Sequence, residues 1–155
     1  MNTEKSIDVL NNLIEINDER LDGYETASKV TYESDLISLF FEFQEKSQKH
    51  KEELIVEIKK LGGKPIKKTK KASRLYKFWN DIKTALVDKD REDILSICEY
   101  DDDKTFRSYR TILKDNFDFL NQELLTKLKA QQHAIKLDHD RVKNLRDSIL
   151  NHESK

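Results

Sequence analysis

Two of the chain's three glycines and its single proline sit together at Gly62-Gly63-Lys64-Pro65, so the rest of its 155 residues is almost free of turn formers. Sheet-rich folds need many tight turns, and turns rely on Gly and Pro for their special backbone angles. Long helices need few breaks, so they suit this chain. The expected fold class is all-α, in one domain over residues 1–155. A chain of that length can bury a sizeable core without disulfide or metal staples.

Apolar spacing places the helices. The first starts near Thr3, read as its N-cap, with Ile7, Leu10, Ile14, Leu21 and Tyr24 on the buried stripe, and ends near Val30. The second opens near Ser34-Asp35, carries Leu36, Phe40, Phe43, Leu54, Ile58 and Leu61, and stops at Gly62-Gly63. The run Lys64–Arg74 is basic, lacks apolar periodicity and reads as a loop. A short helix follows from about Ser73 to Ala85, with Leu75, Phe78, Trp79 and Ile82 on one side. The third long helix begins near Asp88 or Asp90 and carries Ile94, Leu95, Cys98, Phe106, Tyr109, Ile112 and Leu113. After a break near Asp115-Asn116, the fourth runs from about Phe117 towards Leu150, through Leu124, Leu128, Ile135, Val142, Leu145 and Ile149. Each long helix is apolar on one stripe, and four such stripes bury one another in a bundle.

Polar residues interrupt each stripe near its middle. Asn17 is in line with Leu10 and Tyr24; Ser47 and His50 fall on the two lines of the second helix. Asp102 lies between Leu95 and Tyr109, and Gln132 and His139 follow the fourth helix's steps of three and four. Asn17 precedes Tyr24 by seven residues, as Asp102 precedes Tyr109, so the chain reads as two similar helical hairpins. Asn17, Ser47, Asp102, Gln132 and the two histidines are expected to form a buried hydrogen-bonded layer, which fixes helix register. His50, His139 and Asp102 (or Glu99) could instead hold a single Fe or Zn ion, because imidazole with carboxylate suits those metals.

The segments NNLIEINDERLDGYETA, LGGKP, RLYKFWNDIKTAL, ILSICEYDDD and HDRVKNLRD resemble an uncharacterised bacterial family of ferritin-like four-helix-bundle proteins, distantly similar to bacterioferritin-type chains. The resemblance implies a ferritin-like bundle with a short extra helix between the second and third helices. Di-iron bundles of that kind use one carboxylate from each of two helices and a Glu-x-x-His pair from each of the others. Here Asn17 and Asp102 hold the single-carboxylate places, while Ser47-x-x-His50 and Lys136-x-x-His139 hold the pair places. Asn17 and Ser47 replace acids and Lys136 brings a cation, so the di-iron site is degenerate and no cofactor is expected. The resulting expectation is a non-enzymatic bundle protein, with a stress-related role suggested only by family analogy.

Other features narrow the partners. Twenty-nine basic and 30 acidic side chains nearly cancel, so no global field draws in nucleic acid or an anionic membrane. Tyr76, Phe78 and Trp79 follow the Lys64–Arg74 run, the alternative reading of which is a phosphate or nucleic-acid contact. A single cysteine, Cys98, excludes an internal disulfide. No apolar run nears the roughly 20 residues of a membrane span, and no signal-peptide pattern opens the chain. The expected location is the cytoplasm. Outward Phe41 and Phe119 suggest apolar patches for a homodimer.

Overall fold

A computed structural model describes residues 2–67 and 91–153. Four long helices account for nearly all of them: α1 (Thr3–Val30), α2 (Ser34–Lys60), α3 (Arg91–Asn116) and α4 (Gln122–Glu153). No strand occurs among the described residues. The short helix expected at Ser73–Ala85 and the Lys68–Arg74 part of the basic run lie outside them.

The helix ends follow local chemistry. Asn2, and not Thr3, caps α1, its side chain accepting from the Lys5 amide at 3.0 Å. At the end of α2 the Gly62 amide donates to the Lys59 carbonyl and the Gly63 amide to that of Ile58, both at 3.0 Å. This paired closure needs a left-handed residue, which Gly62 supplies at φ 79°. Gly63 then presses on α1, where a Cβ would stand 2.7 Å from Cδ1 of Ile7. Asn11 fastens the exit, donating to the Lys64 carbonyl and accepting from the Ile66 amide at 2.9 Å. The break after α3 is longer than its spacing predicts. Phe117–Phe119 form a 3₁₀ turn, and Asn121 caps α4 by accepting from the Leu124 amide at 2.8 Å.

These anchors fix the chain order. The lower end of the bundle joins the start of α1 to the end of α2 and, through Ser6 and the Phe119 carbonyl, to the α3–α4 turn. At the upper end Arg91 of α3 pairs with Glu33 and Asp35 at the start of α2. The helices therefore run up, down, down, up, and the end of α2 and the start of α3 lie at opposite ends. α1 packs closely on α2 and α3 on α4, with α1 beside α3 and α2 beside α4.

The core has two apolar parts. The lower holds Leu10, Leu13, Ile14, Leu54, Ile58, Leu124, Leu128 and Ile135. The upper holds Tyr24, Leu36, Phe40, Phe43, Cys98 and Val142. Tyr24 meets Phe43 edge-on, ring centroids 4.9 Å apart, which adds about 0.5–1.5 kcal/mol beyond burial alone. Phe119, expected to face outward, instead packs on the lower core beneath the Lys5 ammonium. Phe41 is exposed.

Candidate functional site

Between the two apolar parts lie two polar tiers, and each draws on all four helices. The upper is centred on Arg20, a fully buried residue. Its Nε donates to Oδ1 of Asp102 on α3 at 3.1 Å, Nη1 to Oγ of Ser47 on α2 at 2.8 Å, and Nη2 to Oδ2 of Asp138 on α4 at 3.0 Å. Lys46, half-exposed, reaches the other oxygen of Asp138 at 2.7 Å. The Tyr24 and Phe43 rings lie near the guanidinium, with centroids 5.2 and 5.4 Å from Cζ.

Burial opposes a charge on Arg20, but the Asp102 and Asp138 carboxylates and the Tyr24 hydroxyl reverse this and hold it above its ordinary pKa. Burial pushes the Asp102 carboxyl up, with Arg20 pulling against it. The Tyr24 hydroxyl lies near Asp102, but neither it nor Oδ2 of Asp102 has a hydrogen-bond partner among the described residues.

The lower tier is a chain of neutral groups. Asn17 of α1 donates to the hydroxyl of Tyr109 on α3 at 2.8 Å. That hydroxyl donates to Oε1 of Gln131 on α4 at 2.8 Å, and Gln131 donates to the His50 carbonyl on α2 at 3.2 Å. Asn17 also donates to the Leu13 carbonyl. The matched pairs of α1 and α3 thus cross: Asn17 meets Tyr109, and Asp102 meets Tyr24.

The residues singled out from sequence are spread among different places. Asn17, Ser47 and Asp102 are buried in the tiers. His50 is buried too, but its carbonyl makes the contact, while its ring Nδ1 has no partner. Burial first, then the nearby Arg20 charge, drive its pKa down to about 4. On α4 the expected positions differ by one residue. Gln132 and His139 are only partly buried, whereas Gln131 and Asp138 are buried. The inner lines of α4 are Leu124–Gln131–Asp138–Leu145 and Leu128–Ile135–Val142, and a one-residue step turns a side chain by roughly 100°. His139 faces Glu99 at 3.4 Å, and Arg146 holds the same carboxylate at 2.8 Å. Asp101, next to Asp102 on α3, is buried as well.

Arg20, Asp138, Gln131 and Tyr109 are therefore the site residues that sequence reasoning missed or assigned to apolar packing. The signal for Arg20 was present: Ser6, Leu13, Arg20 and Ala27 form an inner line at steps of seven, and all four are buried.

The four candidate metal ligands fall in three places: His139 with Glu99, partly buried between α3 and α4; Asp102 on the guanidinium; and His50 on α2. Among the described residues, no group of three or more His, Cys, Asp or Glu side chains is arranged to hold a metal ion. A metal beside Asp102 would also face a fixed, buried positive charge. These residues do not fit the metal centre that the ferritin-like resemblance implies.

The model of a family described as a domain of unknown function, DUF2383, matches residues 5–115. The chain belongs to the DUF2383 family. The match spans α1 to α3 and contains Arg20, Ser47 and Asp102. Comparison with curated proteins finds no match. Within this DUF2383 chain Asp138 and Gln131, which complete both tiers, stand on α4, beyond the matched residues.

Proposed function

We propose that this DUF2383 chain is a non-enzymatic, ferritin-like bundle protein that associates with itself, its charged interior serving to lock four helices in register. One observation carries this reading: the Arg20 guanidinium sits between Asp102 and Asp138 and leaves those carboxylates committed to a structural contact. The ferritin-like part is supported by the up, down, down, up order, in which one long connection joins opposite ends of the bundle. Self-association is supported by the exposed apolar side chains Phe41 and Val56 of α2 and Leu137 of α4.

The deciding experiment is metal retention and turnover together. Protein incubated with Fe²⁺ or Zn²⁺, in air and without it, is desalted and its metal content measured; Fe²⁺ oxidation is followed in parallel. The expected result is no retained stoichiometric metal and oxidation no faster than in buffer. Metal that stays bound and is lost in Asp102→Asn would replace this reading with a metalloprotein. Sedimentation across concentrations tests the association, and a monomer throughout would remove it.

A further inference from the structure

We infer that Ser47, Asp102 and Asp138 form an interior receptor for a planar guanidinium group, one whose occupant is supplied by the chain itself as the Arg20 side chain. The inference deepens the structural reading above and rests on it. Three nitrogens of one guanidinium each meet a different partner, on a different helix, at 2.8–3.1 Å. The acceptors are therefore spread around the edge of a flat, forked cation, while the Tyr24 and Phe43 rings lie within cation–π distance.

That arrangement discriminates by shape as well as charge. An ammonium presents its donors from a single point and cannot reach three acceptors placed around a fork. A divalent ion draws its ligands to about 2–2.6 Å from one centre. These oxygens instead approach three different nitrogens of an extended group. The receptor should therefore take free guanidinium, in preference to alkylammonium or a divalent metal, once the built-in occupant is shortened. It also explains why a carboxylate-bearing interior need not recruit metal: its cation position is already filled from α1.

The test is rescue of Arg20→Ala and Arg20→Gly. Thermal unfolding is followed in guanidinium chloride at concentrations below those that denature, against methylammonium chloride and sodium chloride at equal ionic strength, and against Zn²⁺ and Mn²⁺. The variants should gain about 3–6 °C when guanidinium reaches ten times its dissociation constant, whereas wild type should gain nothing. Equal effects of guanidinium and methylammonium, or no effect of either, overturn the receptor but leave the non-metal reading standing. Greater stabilisation by metal than by guanidinium also overturns it; only metal retained by wild type undoes the non-metal reading. Should both variants fail to fold, the wild-type protein still decides. Its Arg20 Nη protons should give separate, slowly exchanging NMR signals, because different partners hold each nitrogen. Averaged, fast-exchanging signals would overturn the proposal.

Discussion

Arg20→Met removes the guanidinium but keeps most of the side-chain volume. Three hydrogen bonds disappear, and Asp102 and Asp138, whose side chains are 0% and 2% exposed, lose their shared cation. Asp138 keeps Lys46 at 2.7 Å, so the larger penalty falls on Asp102. Taking one partner from a buried ion pair costs about 3–5 kcal/mol, because the remaining charge is left without compensation. Against a total stability of about 5–15 kcal/mol, that is a large fraction. At about 2–4 °C per kcal/mol for a chain of this size, the midpoint should fall by roughly 6–20 °C. The informative control is the triple variant Arg20→Met/Asp102→Leu/Asp138→Leu, which removes the charges as well as the contact. Replacing a whole buried ionic cluster by apolar side chains is often neutral, or stabilising by about 1–4 kcal/mol. Urea unfolding of both variants should thus show a loss in the single that the triple recovers. A single variant within about 1 kcal/mol of wild type, or a triple as damaged as the single, would refute the electrostatic account of the tier.

Acidification should weaken the fold through His50. Its native pKa is about 4 against an ordinary 6.5, so between those values the unfolded chain binds more protons than the native one. Stability contributed by the neutral ring is present above about pH 6.5 and lost as pH falls through about 4, by up to about 3 kcal/mol. His50→Gln keeps the carbonyl that Gln131 uses and should flatten this slope in urea titrations at stepped pH. Tyr109→Phe removes the hydroxyl that joins Asn17 to Gln131 and should lower urea stability by about 1–3 kcal/mol with the ring still packed. Gly63→Ala would set a methyl 2.7 Å from Ile7 and should lower stability by about 1–3 kcal/mol in calorimetry. Buried Cys98, its thiol pushed up by burial, should react with a thiol reagent only as fast as the protein opens.

The four helices were legible because apolar residues recur at helical spacing along each one, and the Gly62-Gly63 stop could be read from composition alone. The layer's existence was also legible, since Asn17, Ser47 and Asp102 interrupt otherwise apolar lines. Its chemistry was not. Arginine seldom faces a core, so a line running Ser6, Leu13, Arg20, Ala27 is easily read as solvent-facing, and the guanidinium that organises the tier goes unseen. On α4 the steps through Gln132 and His139 match helical spacing almost as well as those through Gln131 and Asp138. Only the packing of α4 against the rest of the bundle, chiefly α3, decides between them, and single-helix periodicity carries no information on a neighbour's rotation. Ends were less legible still: the caps at Asn2 and Asn121 depend on which carbonyl or amide a side chain reaches.

The tier at Arg20 also has a place in time. Its partners Ser47, Asp102 and Asp138 lie 27, 82 and 118 residues further along the chain. The α1–α2 hairpin can close early with Ser47 alone, leaving a charged side chain pointing into an unfinished interior. Both carboxylates arrive only with the second hairpin, and Asp138 arrives with the last helix. A contact of such long range forms late, after loop closure has been met, so it should be weak in the folding transition state and strong in the native state. Interactions of that kind set how slowly a protein comes apart rather than how fast it assembles. The ion cluster would then act as a latch between two hairpins, closed last on the way in and opened first on the way out.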